Sequence, residues 1–428
     1  MKILRAAIFH TPRNPFREPG ALVALADGAV AVEKGCIVLC ADYSEVARTF
    51  PDAAVRDLRG GYIVPGFIDT HVHFPQVRMI GALGYSLLDW LEQLTLPEEA
   101  RLGDAAHAAR LADEFVRALA SHGTTTAMVF GSHFAEATAA LFLAAEKRGL
   151  RIFSGLVMAD RMLRPELHQT PIAAYQASRS LIEKFHGRAR LRYAVMPRFA
   201  LSASEAMLET AGTLLGEDSS LRFTTHINEN PREIEEVMRL FPWAKDYLGV
   251  YERYGLAGRS SILAHDVHTT ESQLERMAAS GASIAHCPSS NAALGSGIFP
   301  MQRHLRHGVR FALGTDVGAG TGFGMMKEAL EAYLLQRVAP EPMTLTPEQM
   351  LYLATRAGAE ALAIENETGD FLAGKSADLV YLKPPEHSVL AGVLKDAETP
   401  ERILGALFTM AGAESVAEVQ VGGDVVSG

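Results

Sequence analysis

Two histidines, His71 and His73, follow an apolar run and are separated by a single residue. In a β-strand successive side chains point to opposite faces, so both imidazoles would lie on one face while Val72 points to the other. Neutral imidazoles on a shared face are suitable ligands for a zinc-type metal ion. The same pattern also fits a strand with two solvated or hydrogen-bonded histidines, so other parts of the sequence must decide between the two interpretations.

Three further potential ligands come late in later apolar runs. His226 and His265 each lie near the end of a probable buried strand, and Asp316 ends the segment Arg-Phe-Ala-Leu-Gly-Thr-Asp. Each of them alone has an ordinary structural interpretation, since an aspartate after Gly-Thr commonly forms a turn or caps a helix. Their repetition at strand ends favours a shared site, because the ends of parallel strands in a closed barrel converge.

The order of elements predicts such a barrel. Eight strand-like runs, most of them separated by helix-length segments rich in Ala, Leu and Glu, are Tyr62–His73, Gly123–Gly131, Arg151–Met158, Leu191–Phe199, Leu221–Glu229, Ser260–His268, Ala282–Asn291 and Arg310–Gly320. Strands that alternate with amphipathic helices form parallel sheets, and eight such units predict an α/β fold of the TIM-type (β/α)8 barrel class. Residues 65–368 are the predicted catalytic barrel, with its site at the carboxyl ends of the strands.

The two ends of the chain have a different character. Short β-like runs with glycines at the turns occur at Ala21–Leu25, Ala29–Glu33, Cys36–Ala41, Ala377–Leu382 and Val416–Val426. Neither end has enough apolar strand to bury a core alone. We therefore predict one small β-sandwich built from both termini, residues 1–64 plus 369–428.

Composition limits the class of protein. The net charge of −10 argues against a nucleic-acid-binding surface, which needs a basic stripe. Three cysteines form no disulfide framework, and Cys36 and Cys40, in an apolar region, are interpreted as small buried residues. No run has membrane-spanning length and no signal-peptide pattern precedes the first strand. We expect a soluble, cytoplasmic protein that binds neither nucleic acid nor membrane.

Several motifs together resemble the amidohydrolase superfamily: Pro65–His73, the strand-end His226 and His265, and Gly314-Thr315-Asp316. Within that superfamily the chain is most similar to the guanine deaminases, on the motifs His73–Gln76, Pro197–Phe199, His226–Asn230 and His286–Asn291. The resemblance covers nearly the whole chain, including the terminal β-domain. It also suggests a homodimer.

The resemblance implies a metal centre with four protein ligands. His71, His73 and His226 would supply nitrogens and Asp316 a carboxylate oxygen, which leaves a position open for water, as in a catalytic zinc site. Iron or manganese fits the same donors, so the ligand types do not determine the metal. Two-metal relatives bridge their ions with a modified lysine late in the third or fourth strand. Arg151–Met158 and Leu191–Phe199 contain no lysine, so we expect one zinc ion, or iron, per chain.

The expected chemistry is hydrolysis by metal-bound hydroxide. A zinc ion lowers the pKa of its bound water from about 15.7 toward roughly 7. By the resemblance, Asp316 accepts that water's proton, Glu229 protonates a ring nitrogen of the substrate, and His265 hydrogen-bonds the water or the tetrahedral intermediate. Without His226 before it, Glu229 would be interpreted as one of several loop carboxylates in an acidic stretch.

The resemblance also implies which residues bind a purine base. Gln76 and Arg198 offer donors for its carbonyl and ring-nitrogen edge, and Phe199 offers a face for stacking. The ordinary alternatives are a loop glutamine, a salt-bridged arginine and a core phenylalanine. The expected reaction converts guanine to xanthine and ammonia. A deaminase of 8-oxoguanine, an adenosine derivative or a triazine stays open, as does a non-catalytic scaffold protein.

The acidic stretch 231–258 has two open roles. It could be a lid or a dimer surface, although its aromatic residues have a spacing typical of core positions. Trp90, in the loop after the first strand, is a candidate for the pocket wall.

Overall fold

The computed structural model describes residues 1–426, and Ser427 and Gly428, which end the predicted terminal domain, lie outside the described residues. The strands are β1 Lys2–His10, β2 Val23–Glu33, β3 Cys36–Asp42, β4 Ala54–Pro65, β5 Phe67–His73, β6 Thr124–Phe130, β7 Arg151–Gly155, β8 Val157–Met158, β9 Leu191–Pro197, β10 Arg222–Ile227, β11 Ser261–His265, β12 Ser283–His286, β13 Arg310–Leu313, β14 Leu379–Leu382, β15 Val416–Val421 and β16 Asp424–Val425.

The helices of the barrel region and of both ends are α1 Tyr43–Thr49, α2 Leu87–Trp90, α3 Leu96–Ala100, α4 Ala105–Ser121, α5 Ala135–Arg148, α6 Pro171–Phe185, α7 Glu205–Glu217, α8 Pro231–Leu240, α9 Tyr247–Arg253, α10 Glu271–Ser280, α11 Pro288–Ala293, α12 Met301–His307, α13 Met325–Arg337, α14 Pro347–Ala354, α15 Arg356–Ala361, α16 Val389–Lys395 and α17 Pro400–Met410. Within residues 1–426 no helix combines the length and the apolar character needed to cross a membrane.

The eight predicted barrel strands are present in the predicted order, which confirms the fold class. Parallel pairing runs β5-β6-β7-β9-β10-β11-β12-β13, and β8 continues the third strand beside β9. Hydrogen bonds join the last strand to the first: the backbone N–H of Asp316 donates to the His71 carbonyl and that of His73 donates to the Val317 carbonyl, both at 2.8 Å. The closed sheet is buried on both faces, as its continuous apolar runs require.

The predicted barrel strands are longer than the observed ones, and two of them show why. Tyr62–His73 divides at Pro65-Gly66 into the end of β4, in the terminal sheet, and β5, in the barrel. A side chain at Gly66 would place its Cβ 2.1 Å from Thr125 Oγ1, so the close approach of β5 to β6 needs glycine here. The seventh strand ends at His286 because Pro288 starts α11, since proline suits a first helical turn.

Both termini build the second sheet, as predicted. Its seven strands have the order β16-β15-β14-β4-β1-β2-β3, so β14 from the C-terminal end pairs with β4 from the N-terminal end. Ile8, Ile63, Leu379 and neighbouring apolar residues form a small core of their own. Cys36 is exposed and Cys40 is half-buried, so the prediction that both are buried is wrong for Cys36, which begins the edge strand β3.

The stretch 231–258 contributes to the core. It forms α8 and α9, and its residues Phe241, Tyr247 and Tyr251 are fully buried, whereas Trp243 is 38% exposed. None of the described residues in this stretch lines the cavity at the strand ends. Its aromatic spacing therefore reflects packing, as the core interpretation requires.

Candidate active site

The four predicted metal ligands meet at the carboxyl ends of the barrel strands. His71 and His73 end β5, His226 lies near the end of β10, and Asp316 follows β13. The Nε2 atom of His73 lies 3.2 Å from that of His71 and 3.3 Å from that of His226. Asp316 Oδ1 is 3.2 Å from the Nε2 atoms of both His71 and His73. The strand-end pattern thus predicted a real juxtaposition.

His265 reaches the same point from the end of β11. The donor atoms of His71, His226, His265 and Asp316 all lie within 4.8 Å of one another. His265 Nε2 is 4.0 Å from Asp316 Oδ2, and it has no hydrogen-bond partner among the described residues. Its backbone is left-handed (φ 78°), as is that of Asp316 (φ 48°), a conformation that turns each side chain at the point where its strand ends.

Hydrogen bonds determine which imidazole nitrogens carry protons. His226 Nδ1 lies 2.6 Å from the Arg198 carbonyl oxygen, which can only accept, so Nε2 keeps a lone pair facing the cluster. His265 Nδ1 likewise lies 2.8 Å from Asn291 Oδ1. Burial lowers the pKa of His71 to about 4 and that of His226 well below its ordinary value. The lowered pKa values of His71 and His226 favour the neutral imidazoles that metal ligands must be.

Asp316 supplies the negative charge of the cluster. Burial opposes this charge, but the hydrogen bonds with His71 and His73 lower its pKa well below the ordinary value. Ser290 Oγ donates to Oδ2 at 2.6 Å and so orients the carboxylate. Neutral imidazole nitrogens and one carboxylate oxygen, oriented by partners outside the cluster, fit a divalent transition-metal ion.

Glu229 lies beside this cluster and is fully buried. Its Oε2 atom is 3.5 Å from His265 Nε2, and Ser296 Oγ donates to its Oε1 atom at 3.4 Å. Burial and the nearby Asp316 charge raise the pKa of Glu229 well above the ordinary value. Its backbone N–H donates to Glu233 at 3.1 Å, which ties it to the first turn of α8. The raised pKa favours the protonated carboxyl that a proton donor needs.

A cavity of about 330 Å³ opens onto the cluster and Glu229. Its lining is polar near the cluster and otherwise largely apolar, and it consists of His73, Gln76, Leu87, Trp90, Leu91, Arg198, Phe199, His226, Glu229, His265, Leu294, Asp316 and Ala319. The shape and the few convergent polar groups suit one flat polar heterocycle.

All three predicted substrate contacts line this cavity. Phe199 follows β9 and packs its ring edge against His226, with 6.0 Å between ring centroids. Gln76 belongs to the helical turn Phe74–Met79 after β5. Arg198 forms a buried ion pair with Glu99, at 2.5 Å from Nη1 to Oε2. Arg198 therefore forms the salt bridge that the ordinary alternative expected, and it also lines the cavity.

Sequence reasoning did not identify two residues of this region, Glu99 and His133. Glu99, on α3, accepts from both Gln76 and Arg198, and His133 Nε2 lies 3.3 Å from its Oε2 atom. His133 follows the second barrel strand, so the strand-end signal that identified the other histidines applied to it as well. Glu99 carried no such signal, because its neighbour Glu98 has the same charge and lies on the same short helix.

The fold and the donor cluster together define a class of metal-dependent hydrolases, and comparison with known proteins agrees. The amidohydrolase family model matches residues 62–426, so the chain belongs to the amidohydrolase family. A probable guanine deaminase of Deinococcus radiodurans is 54% identical over 432 residues, which span 100% of this chain and 98% of that protein.

Two solved structures extend the likeness to three dimensions. The E. coli guanine deaminase superimposes with a TM-score of 0.96 at 35% identity, covering 99% of each chain. The guanine deaminase of Bradyrhizobium japonicum gives a TM-score of 0.94 at 32% identity, covering 99% of this chain and 98% of that one. The similarity thus includes the barrel and the terminal sheet together.

Proposed function

We propose that this protein hydrolyses guanine to xanthine and ammonia. The observation that carries the proposal is one cavity that joins metal-ligand candidates to side chains suited to a purine. It is lined by His73, His226, His265 and Asp316, by Glu229, whose pKa is raised, and by Gln76, Arg198 and Phe199. Relatives that share 54% and 38% of their aligned residues with this chain are a probable guanine deaminase and a guanine deaminase.

The ligand set of the proposal is His71, His73, His226 and Asp316, holding one zinc ion per chain, with iron as the alternative. His265 lies within reach of the same centre but is assigned to the attacking water. A divalent cation in this position acidifies water and so supplies a nucleophile near neutral pH.

The other side chains then have separate roles. Phe199 stacks against the purine, and Gln76 and Arg198 donate to its carbonyl edge, which directs C2 toward the cluster. Asp316 accepts a proton of the attacking water, while His265 hydrogen-bonds that water or the tetrahedral intermediate. Glu229 donates a proton to a ring nitrogen as the water oxygen adds to C2, which gives a tetrahedral intermediate. The proton held by Asp316 then passes to the amine, the C2–N bond breaks and ammonia leaves, while the remaining hydroxyl proton returns to Glu229.

The decisive experiment is an ammonia-release assay on the zinc-loaded protein. Guanine is tested beside 8-oxoguanine, adenine, cytosine, adenosine and a triazine. We expect guanine to be the preferred substrate and xanthine the product. Preference for another of these compounds would be consistent with a deaminase but would overturn the roles assigned to Gln76, Arg198 and Phe199. Absence of ammonia release from all of them would contradict the proposal.

We also propose that the protein works in the cytoplasm as a homodimer, and that residues 1–64 plus 369–428 form a domain separate from the catalytic barrel, residues 65–368. The dimer proposal rests on the family resemblance. Light scattering coupled to size-exclusion chromatography tests it, and a monomeric mass at micromolar concentration would contradict it.

A further inference from the structure

A buried carboxylate lies directly behind the two polar side chains that face the substrate. Glu99 Oε1 accepts from Gln76 Nε2 at 2.9 Å and from Arg198 Nη1 at 2.7 Å. Its other oxygen, Oε2, accepts from the same Arg198 nitrogen at 2.5 Å and lies 3.3 Å from His133 Nε2. All four side chains are at least nine-tenths buried. Glu99 does not itself line the cavity.

These contacts leave Gln76 little freedom. Its amide nitrogen donates to Glu99, and its amide oxygen accepts from the Gly318 backbone N–H at 3.3 Å. The amide cannot flip without losing both partners, so the side of Gln76 that meets a ligand is determined by Glu99. Arg198 is held through Nη1, and its side chain lines the cavity.

The same carboxylate also balances charge. Burial acts to raise the pKa of Glu99, but Arg198 and His133 lower it below the ordinary range, so the group is a carboxylate at any working pH. The Glu99–Arg198 ion pair therefore has no net charge, so it does not present an uncompensated positive charge to a ligand. The other titratable side chains that face the cavity are His73, His226, Glu229, His265 and Asp316.

We propose that Glu99 is a positioning residue that makes the cavity selective for a neutral purine over a purine anion. This inference rests on the proposed function. Replacing the C2 amine of guanine by a carbonyl gives a more acidic ring, so the product becomes an anion as the pH rises. An unpaired guanidinium in a buried site would hold that anion strongly, whereas the Glu99–Arg198 pair does not.

The test compares product inhibition in the wild-type protein and Glu99→Gln. Inhibition by xanthine is measured at mildly acidic pH, where xanthine is neutral, and at alkaline pH, where it is an anion. We expect the wild-type inhibition constant not to tighten as xanthine ionises. In Glu99→Gln we expect xanthine to bind about tenfold more tightly at alkaline pH. We expect KM for guanine to rise about tenfold, because the group that accepts from Gln76 and Arg198 loses its negative charge and one of its two accepting oxygens.

If Glu99 had a merely structural role, its replacement would move KM for guanine and the inhibition constant of xanthine in the same direction. Equal weakening of guanine and xanthine, or no change in either, would therefore overturn the proposal. Glu99→Asp keeps the charge and shortens the side chain, so it should raise KM for guanine without tightening xanthine. If Glu99→Gln does not fold, Glu99→Asp and the wild-type pH series still decide, because wild-type inhibition that tightens on ionisation contradicts the inference.

Glu98→Gln is the matched control. It makes the same charge change one residue away on α3, where Glu98 pairs with the exposed Arg101 at 2.7 Å. We expect this variant to match the wild type in every constant. Absence of guanine turnover in both the wild type and Glu98→Gln would contradict the proposed function itself, and that result is distinct from a failure of the Glu99 inference.

Discussion

Glu229 and Arg198 show how a residue's surroundings decide its chemistry. A glutamate in an acidic loop ordinarily has a low pKa, but burial and the nearby Asp316 charge raise the pKa of Glu229 well above its usual value. An arginine in a salt bridge is ordinarily a surface feature, but Arg198 is only 4% exposed and faces a cavity. Two variants follow from these surroundings.

Glu229→Gln removes the proton donor and preserves the shape of the side chain. We expect turnover of guanine to fall about 10²–10⁴-fold with unchanged metal content, since proton transfer typically contributes that factor. Steady-state kinetics and metal analysis measure the two quantities. Glu235→Gln, at an exposed position of the same acidic stretch, should change neither. Near-normal turnover would remove Glu229 from the mechanism.

Arg198→Ala removes donors from the cavity wall and leaves the metal ligands in place. We expect kcat/KM for guanine to fall about 10- to 100-fold, the effect of losing hydrogen bonds from a charged group, and metal content to stay unchanged. Arg78→Ala, which breaks only the exposed pair with Glu114, is the control. Loss of folding in Arg198→Ala would show that the arginine is chiefly structural.

At the scale of elements, the ends of the barrel strands hold the site through backbone conformation and hydrogen bonds between neighbours. Four non-glycine residues that follow or end strands, Asn228, His265, Asp266 and Asp316, have left-handed backbones. A left-handed backbone at a non-glycine residue costs about 1 kcal/mol or more of conformational free energy, so the surrounding hydrogen bonds must stabilise it. Tyr251 contributes one of these connections from α9.

Tyr251→Phe should weaken the joint between β9 and β10. The Tyr251 hydroxyl donates to the His226 carbonyl at 2.8 Å and accepts from the Ala200 N–H at 2.9 Å, so its removal leaves buried groups unpaired. We expect the free energy of unfolding to fall by about 1–3 kcal/mol in urea titrations. Tyr254→Phe loses only a contact with the exposed Glu205 and serves as control. An equal loss of unfolding free energy in Tyr251→Phe and Tyr254→Phe would contradict the role of Tyr251 in joining β9 and β10.

Glu328, on α13, should make stability depend on pH. Its carboxylate accepts from Ser289, the neighbour of Ser290, and burial raises its pKa from 4.5 to about 8. The folded state then holds a proton that the unfolded state releases, so the free energy of unfolding falls as the pH rises through this window, by about 1.4 kcal/mol per pH unit. Glu328→Gln cannot titrate and should flatten the slope; an unchanged slope would exclude Glu328 as its source.

At the scale of the whole molecule, the donor cluster joins strands that are far apart in the chain. The proposed ligands come from β5, β10 and the segment after β13, so a bound ion would connect the first half of the barrel with the second. The terminal sheet also joins the two ends of the barrel segment. Its strand β4 precedes the barrel in the sequence, its strand β14 follows it, and the two strands pair.

Metal removal should therefore destabilise the entire barrel. At a hundredfold excess of free ion over its Kd, binding adds about 2.7 kcal/mol to the free energy of unfolding. We expect calorimetry to show a lower unfolding temperature after chelation and recovery after reloading. His226→Ala should abolish the difference. An equal unfolding temperature with and without measured bound metal would contradict the proposed ligand set.

The amino-acid sequence by itself determined the strand order, the use of both termini in one sheet and the positions of His71, His73, His226, His265 and Asp316 at strand ends. These features are periodic or local, and parallel strands that close a barrel bring their carboxyl ends together whatever the details of packing. The motifs around Gln76, Arg198 and Glu229 were also recognisable.

Only the tertiary structure decided which side chains stand behind the site. Glu98 and Glu99 are adjacent and chemically identical, yet Glu98 pairs with the exposed Arg101 and Glu99 is buried against Arg198 and Gln76. The direction in which each points depends on how α3 packs beneath the strand ends, far away in sequence. The charge of the cavity follows from that packing, because burial and long-range partners, rather than local pattern, determine which groups are ionised.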